Sequence, residues 1–439
     1  FRSSAMLLES HELERAEARL RELEAEIGAS GWPPLLAEFH YLRGDTLAGR
    51  SRYEEAEREL GLAVASALAL GEDRIAMRAL TEQASNLAAW QPEQLDAGLR
   101  LLDLADALNL RLGGDASERS RIAVVRAHML IGGSRNEEAL AAAQVGLDAA
   151  AQAEPRPGER TAAAEHALGL ALFRLGRYVE GKPHVERALA LWLDAFGPAH
   201  RVIGKAHNAL GLYAFVLEQP DEAIRHFEAQ LDINRTLQGP MHVDVADVRA
   251  NLGNAYFVAG RHEDARAQLE QALAIREREL GPDNLYVGHA RANLANVLRK
   301  LGDLDAALDQ ATRALAIITA IRGEDHPDLS PGRSVLALVY EARGEWAPAR
   351  EQYLTSLRLL ERPEGGSIHY MFEVLTSLAR VDLAADRPSD ALAWVTRADA
   401  LEHDAPPAHE GELEWVAAQV LARLDRPTEA RTRAERALA

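Results

Sequence analysis

The sequence predicts an all-α fold, a right-handed superhelical solenoid built from antiparallel helix pairs. Short phrases recur every 42 residues, each interval contains two stretches of helical periodicity, and runs typical of strands and hairpins are lacking. One such phrase, a Leu followed by a small residue, begins at positions 168, 210, 252, 294 and 336. The length of 439 residues would by itself suggest about three domains. The repeat instead favours one array.

Each repeat is predicted to contain two helices, as residues 241–280 illustrate. Apolar and small residues between 245 and 256 keep the spacing of one helix face, and Gly260 supplies the left-handed conformation that ends this first helix. The second helix carries its apolar face from 265 to 275. It is expected to end at Gly281 and the following Pro, since Gly closes one helix and Pro opens the next.

Small residues on the 42-residue grid mark the places where the two helices of a pair cross. Antiparallel helices approach closely only where the contact point lacks a bulky side chain. Gly211, Gly253 and Ala295 provide that point in the first helices. The corresponding series in the second helices is Ala56, Ala97, Ala139, Gly181, Ala223, Ala265, Ala307, Ala349, Ala391 and Ala430.

These residues resemble the tetratricopeptide repeat family, which combines a Leu-Gly or Leu-Ala pair, a turn Gly and a second-helix Ala. The phrases at 177–180 and 261–265, Arg-Tyr-Val-Glu and Arg-His-Glu-Asp-Ala, look like the family's turn. The 42-residue period and the Gly-Pro-x-His linkers at 197–200 and 239–242 are similar to the long variant found in kinesin light chains and many bacterial regulators. The resemblance implies a protein–protein interaction scaffold that binds an extended peptide in a concave groove.

Four regions are expected along the array, according to how closely they keep this pattern. Residues 1–28 are predicted to be a half repeat, the second helix of a truncated module, and residues 29–156 to be divergent helix pairs. Residues 157–363 are predicted to hold the regular 42-residue repeats, followed by divergent helix pairs in 364–439. Because the sequence opens on Phe1 inside a module, we expect it to be a fragment of a longer protein.

The kind of longer protein is inferred from the composition and the repeat spacing along the chain. An Arg-rich, Lys-poor entry, then loosely spaced repeats, then 42-residue repeats resemble the C-terminal halves of myxobacterial-type serine/threonine protein kinases. That resemblance implies that the array recruits substrates for a preceding kinase domain or gates it. Two alternatives are the sensor half of a STAND-type signalling ATPase and an architectural solenoid that self-associates through its ends at 1–28 or 427–439.

Composition and motifs argue against an enzyme in this chain. The net charge of −19 disfavours nucleic-acid binding, which needs Lys and Arg on the contact face. With no Cys there is no thiolate nucleophile and no Cys-bound metal. The nearest phosphate-loop candidate runs from Gly197 to Gly204-Lys205, but the spacing is wrong and Ala206 stands where a hydroxyl is required. We therefore expect no catalytic residue.

Histidines are too sparse along the chain for a metal site. His200, His242 and His326 recur one per module at the linkers, where each is expected to hydrogen-bond the neighbouring turn. His409-Glu410 is not followed by a second His at metalloprotease spacing. We therefore expect no metal and no other cofactor. The most apolar stretch, around 62–70, is far below the ~20 residues of a membrane span, so we expect no membrane insertion and a cytoplasmic protein.

The concave wall is the remaining candidate for function, since the first helices of stacked pairs line it. Two neighbouring modules repeat Asn at equivalent positions, Asn251 and Asn254, then Asn293 and Asn296. Each pair is three residues apart, so both side chains share a helix face and offer donors and acceptors to a peptide backbone. Other residues predicted along this wall are Lys205, Asn208, Phe215, Arg249, Phe257, His289, Arg291, Arg299 and Lys300.

From this wall we predict a groove that binds a protein or peptide segment, acidic or C-terminal in character. Its predicted contacts are Lys205, Asn208, Asn251, Asn254, His289, Asn293, Asn296, Arg299 and Lys300. The set includes two of the three Lys residues of a strongly acidic chain. In the competing interpretation, the Asn side chains bridge adjacent helices and Arg299-Lys300 only complements the negative end of a helix dipole. A kinase domain of the same protein is a second candidate partner.

Overall fold

The computed structural model describes residues 13–30, 32–50, 52–154, 157–362, 368–401 and 407–438. Within these ranges the chain is helical and contains no strand, which confirms the predicted all-α repeat array. The helices are α1 Leu13–Ser30, α2 Pro33–Gly49, α3 Tyr53–Leu70, α4 Asp73–Trp90, α5 Leu95–Arg111, α6 Ala116–Gly132, α7 Asn136–Ala153, α8 Glu159–Arg174, α9 Tyr178–Phe196, α10 Arg201–Val216, α11 Pro220–Gln238, α12 Val243–Val258, α13 His262–Leu280, α14 Leu285–Leu301, α15 Leu304–Arg322, α16 Leu329–Ala342, α17 Trp346–Leu360, α18 Ile368–Ala384, α19 Pro388–Asp399, α20 Pro407–Arg423 and α21 Pro427–Ala437. A short 3₁₀ turn at Pro92–Gln94 precedes α5.

Helices α12 and α13 show how the repeat phrase becomes structure. They end close to the predicted positions, at Val258 and Leu280, and the glycines that follow have positive φ angles, 74° at Gly260 and 85° at Gly281. Only a residue without a Cβ takes that conformation freely, which explains why both turns carry Gly. Even-numbered helices are the first helices of their pairs, and odd-numbered ones from α3 onward are the second.

The recurrent linker phrase places a hydrogen-bonding side chain just before four of the first helices, α10, α12, α14 and α16. The Nδ1 atom of His242 accepts a hydrogen bond from the backbone nitrogen two residues later, at 3.2 Å. His326 makes the same bond at 3.2 Å and His200 a longer one at 3.4 Å, while Asn284 uses its side-chain oxygen at 2.9 Å. Each bond satisfies a backbone donor that the helix itself leaves unpaired. The expectation that the linker histidines bond their own turns is confirmed.

The described residues form two compact units that divide between Gln219 and Pro220. The first unit contains α1–α10 and the second α11–α21. Each unit has its own buried apolar core. One cluster of the first unit includes Met77, Leu80, Leu102 and Ile122, and one of the second includes Tyr353, Phe372, Leu378 and Val395. None of the described helices has the length and apolarity that crossing a membrane requires.

Close helix contact depends on glycine at several crossing points. A Cβ at Gly253 would lie 2.7 Å from Cγ of Leu269, so the first and second helices of that pair could not pack as they do. A Cβ at Gly181 would overlap the hydroxyl oxygen of Tyr213, a fully buried residue of α10. That hydroxyl donates a 2.6 Å hydrogen bond to the carbonyl oxygen of Gly169. The Gly at 181, where the other repeats carry Ala, therefore makes room for Tyr213.

A second regular device is an Arg–Gln hydrogen bond inside three successive pairs, between residues 19 apart. Arg249 donates to Gln268 Oε1 at 2.6 Å, Arg291 donates to Gln310 at 2.6 Å, and Arg333 repeats the bond to the second helix of its own pair at 3.0 Å. Arg249 is buried, and its burial lowers the pKa of the guanidinium. Arg249 and Arg291 were predicted along the groove wall, and their guanidinium groups bond to second helices of the array, with Glu277 of the preceding pair as a further partner of Arg291.

Candidate functional site

The predicted groove residues are divided between the two units. Lys205 and Asn208 lie on α10 in the first unit, where Lys205 is exposed and Asn208 half-buried. The other predicted contacts lie on α12 and α14 in the second unit. There the Asn side chains at 251, 254, 293 and 296 are half-buried and His289 is exposed. The two units are therefore described separately as binding surfaces.

In the second unit, the two cations at the end of α14 have no carboxylate partner among the described residues. Arg299 donates to the side-chain oxygen of Asn296 at 2.8 and 3.2 Å, and that amide is its hydrogen-bond partner. Burial lowers the pKa of the Arg299 guanidinium, although Tyr353 and the carboxylate of Glu341 act in the opposite direction. Lys300 is exposed and makes no hydrogen bond or ion pair with a described residue. Both cations can accept an anion from outside.

Arg299 and Lys300 open onto a cavity of about 490 Å³. The cavity is lined by three successive first helices, α14, α16 and α18, and by the start of α17. Leu338 and Trp346 supply apolar surface, and Arg380 closes the far side. The carboxylates of Glu341, Glu373 and Glu412 line the same cavity, so its walls combine cations, anions and apolar groups.

A second cavity of about 590 Å³ continues from the first along α18 and α20. Its walls are mainly apolar, with Leu383, Val416 and the indole of Trp415, which is 52% exposed. Arg380 and Glu412 line both cavities. The two cavities and their lining residues are called the second-unit binding surface below.

Arg380 joins three first helices at the boundary between the two cavities. Its Nε donates to Glu341 Oε1 at 2.5 Å, and another of its nitrogens pairs with Glu412 on α20. Tyr353 adds a 3.1 Å hydrogen bond to Glu341 Oε2. Burial opposes the charged guanidinium, but its hydrogen bond to Glu341 raises the pKa of Arg380 overall. Unlike Arg299, Arg380 is therefore neutralised by the protein itself.

In the first unit, the corresponding surface carries an ion-pair network centred on Arg121 of α6. Arg121 pairs with Glu82 at 2.7 Å and with Glu118 at 3.1 Å, and Arg78 pairs with Glu118 at 3.1 Å. Asp45 stands near this network but makes no hydrogen bond or ion pair with another described residue. Burial, and next the like charge of Glu82, raise the pKa of Asp45 to about 7.

Lys205 lies further along the same unit, beside a pair of histidine rings. The ring centroids of His128 and His166 are 6.3 Å apart, and His166 is packed 5.3 Å from Trp192. Burial first, and then the charges of His128 and Lys205, lower the pKa of His166 to about 3. His166 is therefore neutral near pH 7, which leaves Lys205 as the charged group of this cluster.

Neither surface resembles a catalytic centre. Among the described residues no group of three or more His, Asp or Glu side chains is arranged to hold a metal ion. What the second-unit binding surface can do chemically is bind: two cations for an anionic group, and an aromatic wall for an apolar one.

The family comparison decides what kind of repeat this is. A tetratricopeptide repeat model matches residues 160–236, 202–278, 244–318 and 286–362. These residues are tetratricopeptide repeats. The match overlaps the segment in which the 42-residue period is most regular, and it includes the helices that carry Arg299 and Lys300. A comparison with curated proteins found no significant match.

Several solved structures are similar to this chain in fold. The apo form of RapI is similar over 82% of this chain and 96% of its own, with 11% identity and a TM-score of 0.60. Aspartyl phosphate phosphatase F from Bacillus subtilis is similar over 83% of this chain and 94% of its own, with 12% identity and a TM-score of 0.50. A putative kinesin light chain from Podosopora anserina, described as having nearly identical TPR-like repeats, covers 45% of this chain and 92% of its own, at 21% identity and a TM-score of 0.39.

Tetratricopeptide repeats form protein–protein interaction scaffolds and bind protein or peptide partners on extended surfaces. Within the repeats of this chain, several residues of the second-unit binding surface were missed from the sequence, namely Leu338, Glu341, Trp346, Arg380 and Trp415. The repeat grid contained a signal for two of them, because Leu338 and Glu341 stand 42 residues after Asn296 and Arg299. No comparable signal marks Trp415, which lies in the divergent C-terminal part.

Proposed function

We propose that this chain is an interaction scaffold whose second unit binds an extended, acidic segment of a partner protein. The observation that carries the proposal is the pair Arg299 and Lys300, two cations without a carboxylate partner that open onto a cavity of about 490 Å³. A guanidinium and an ammonium side by side attract carboxylates through charge-assisted hydrogen bonds. The neighbouring amides of Asn293 and Asn296 are suited to the backbone of the same segment.

The scaffold is proposed to be the regulatory or substrate-recruiting part of a larger signalling protein, such as a serine/threonine kinase. Support for the kinase comes from the composition and repeat spacing of the sequence, because an Arg-rich N-terminal region is followed by 42-residue repeats. The sensor half of a STAND-type signalling ATPase and an architectural, self-associating array stay as alternatives. Lys205 and Asn208, in the first unit, remain predicted contacts of the partner.

A photo-crosslinking experiment tests the scaffold proposal. A photoreactive amino acid is placed at Ala342, an exposed residue that lines the cavity beside Lys300, and in a control chain at Ala274, an exposed residue of α13. Irradiation in a lysate of the source organism should give an adduct with another protein from position 342 only. Mass spectrometry then identifies the partner.

The charge requirement is tested with the same probe. Arg299→Glu combined with Lys300→Glu should abolish the adduct, whereas Arg278→Glu on α13 should leave it unchanged. If the adduct still forms after the double substitution, the partner does not bind through these two cations. Adducts between two copies of this chain would instead support the architectural alternative.

A further inference from the structure

Two neighbouring second helices of the first unit, α3 and α5, carry the same apolar phrase on their exposed sides. The residues of this phrase, called the leucine patch below, are Leu62, Ala65 and Leu68 on α3 and, 42 residues later, Leu104, Ala107 and Leu110 on α5. The four leucines are between 49% and 76% exposed, and both alanines are exposed. Because a helix turns about 100° per residue, the two leucines of each helix lie about 60° to either side of the alanine between them.

The later second helices, from α7 to α17, do not carry this phrase. Its three positions stand six, nine and twelve residues after the buried small residue of the second helix, which is Ala56 in α3 and Gly98 in α5. At these positions every second helix from α7 to α17 has at least one polar or charged residue. One from each helix is Asp148 in α7, Arg187 in α9, Asp232 in α11, Glu277 in α13, Arg313 in α15 and Arg358 in α17. Half-exposed leucines at equivalent places on two adjacent second helices therefore mark a surface that a partner covers.

A cavity of about 810 Å³ between α3 and α5 continues this apolar surface. Leu104 of the patch borders the cavity, next to Leu101 of the same helix and Leu87 and Trp90 from the C-terminal end of α4. Two Glu and two Arg side chains also line the cavity, so its formal charges balance. The patch and the cavity together offer a surface that is apolar in part and without net charge.

The charged residues next to the α5 half of the patch have their counterions within the same chain. Arg126 of α6 pairs with Asp103 and with Asp106, at 2.9 Å in each case, and Arg111 pairs with Asp73. Residues 61–70 of α3 contain no charged side chain. Two copies of a chain with a net charge of −19 repel each other in general, but the repulsion is weakest where the local charges are paired or absent.

The two helices also present an area suited to a stable dimer. Helix α3 has 18 residues and α5 has 17, so each is about 26 Å long and about 10–12 Å across with its side chains. Side by side they cover about 520–620 Å² in projection, and the accessible area of a ridged surface exceeds its projection. A protein–protein interface of standard size buries about 800 Å² per partner. The leucine patch and the cavity, which together follow both helices, are therefore of a suitable size.

We propose that the chain forms a two-fold symmetric homodimer in which the leucine patch of one copy packs against the leucine patch of a second copy. Each helix of the patch presents an alanine hollow between two leucines, so the leucines of one copy enter the hollows of the other. In a two-fold dimer the same surface meets itself, and a patch that is apolar and locally neutral is complementary to its own copy. The interface lies on α3 and α5, so it differs from the second-unit binding surface and from self-association through the chain ends.

Light scattering coupled to size-exclusion chromatography, over a series of protein concentrations, tests the proposal on the full chain. The parent chain should have twice the monomer mass at high concentration. Leu68→Glu combined with Leu110→Glu should weaken the dimer by about a hundredfold or more, since like charges then meet inside the interface. Val179→Glu combined with Ile321→Glu, at apolar residues of α9 and α15 that are 80% and 47% exposed, is the matched control and should stay dimeric. Circular dichroism confirms that each variant is folded.

Cysteine cross-linking gives a second measurement that leaves the leucines in place. The chain has no Cys, so a variant with Ala65→Cys and Ala107→Cys reacts at these two positions alone. A short bismaleimide cross-linker should convert it into a covalent dimer. Ala274→Cys with Ala316→Cys places the same pair at the equivalent exposed positions of α13 and α15 and should remain monomeric under denaturing electrophoresis.

A chain that is monomeric at all concentrations would overturn the dimer. So would a dimer that resists Leu68→Glu with Leu110→Glu, or a cross-link from positions 65 and 107 to a different protein in a lysate of the source organism. None of these results bears on the proposed function of the second unit, because the photo-crosslinking at position 342 does not depend on α3 or α5.

Discussion

The Arg121 network of the first unit and the end of α14 in the second unit treat their charges in opposite ways. Arg121 is matched by Glu82 and Glu118 within the same surface. Arg299 and Lys300 line a cavity that also holds carboxylates, but they form no ion pair with a described residue, and Arg299 bonds the amide of Asn296 instead. The same repeat can therefore supply a surface whose charges are paired with one another or a surface whose cations remain available to a ligand. Which of the two arises depends on the residues that successive repeats carry at positions 42 residues apart.

The largest effect on stability is expected from removing one carboxylate of the Arg121 ion-pair network in the first unit. Glu118→Gln removes the carboxylate that Arg121 and Arg78 share, and Glu118 is itself buried. Because a half-buried guanidinium then loses a partner, the free energy of unfolding should fall by about 3 kcal/mol. Urea denaturation followed by circular dichroism measures the change.

The matched substitution in the second unit is Arg299→Gln. It removes a cation that has no carboxylate partner, so stability should change by less than about 0.5 kcal/mol, as for an ordinary surface position. Equal losses from Glu118→Gln and Arg299→Gln would show that the two surfaces do not differ in the way described.

A smaller loss is expected at the crossing point that distinguishes the first unit. Gly181→Ala places a methyl group against the Tyr213 hydroxyl, although Ala occupies the same grid position at 265 and 307 in the second unit. Overpacking at this point should cost about 1–3 kcal/mol. Thermal unfolding provides the measurement.

Adding Tyr213→Phe to Gly181→Ala serves as the control. The double variant lacks the oxygen that clashes, so it should lose less than the sum of the two single variants. If the stability losses of the two single variants simply add in the double variant, the cost of Gly181→Ala does not come from the Tyr213 hydroxyl.

The smallest effect is a change in how stability depends on pH. The folded-state pKa of Asp45, raised to about 7 by burial and by Glu82, lies above the ordinary value of 3.8. Folding therefore favours the protonated carboxyl, and as pH rises from about 4 to above 7 this group progressively destabilises the first unit. Asp45→Asn should raise the melting temperature at pH 8 and leave it unchanged near pH 4.

Glu165 provides a contrast of opposite sign within the same unit. Its carboxylate is buried but bonded to His184 at 2.5 Å and to Arg187 at 2.8 Å, and these partners outweigh burial and lower its pKa. Its stabilisation is present above the ordinary pKa of a Glu and is lost as pH falls through the folded value. Glu165→Gln should therefore cost stability at pH 7 and little near pH 3. The same pH response from Asp45→Asn and Glu165→Gln would contradict this account.

The elements of the fold were predictable because each is determined by nearby residues. Gly260 ends α12 and His242 caps its start, and both roles follow from the phrase in which they stand. The bonds of Arg249 and Arg291 show where such reasoning stops. A helix turns about 100° per residue, so a side chain on the edge of the inner face can equally enter the pair, and Gln268 and Gln310 decide that it does.

The binding surface was only partly predictable for a different reason. Arg299 and Lys300 were selected because a basic, amide-rich strip is unexpected in a chain of net charge −19, and they do border a cavity. The far end of that surface depends on Arg380 meeting both Glu341 and Glu412, a contact among three helices that are 32 and 39 residues apart in sequence. No local phrase encodes a contact of that kind.

The bond between Tyr213 and Gly169 also limits how this array can grow or shrink by recombination. Tyr213 belongs to the first helix of one pair, whereas Gly169 and Gly181 belong to the pair before it. Inserting another module between these pairs would leave the phenol hydroxyl against an Ala methyl group and without its acceptor. The boundary between α9 and α10 is therefore a poor place to splice repeats, and chimeras joined there should inherit both sides from the same parent.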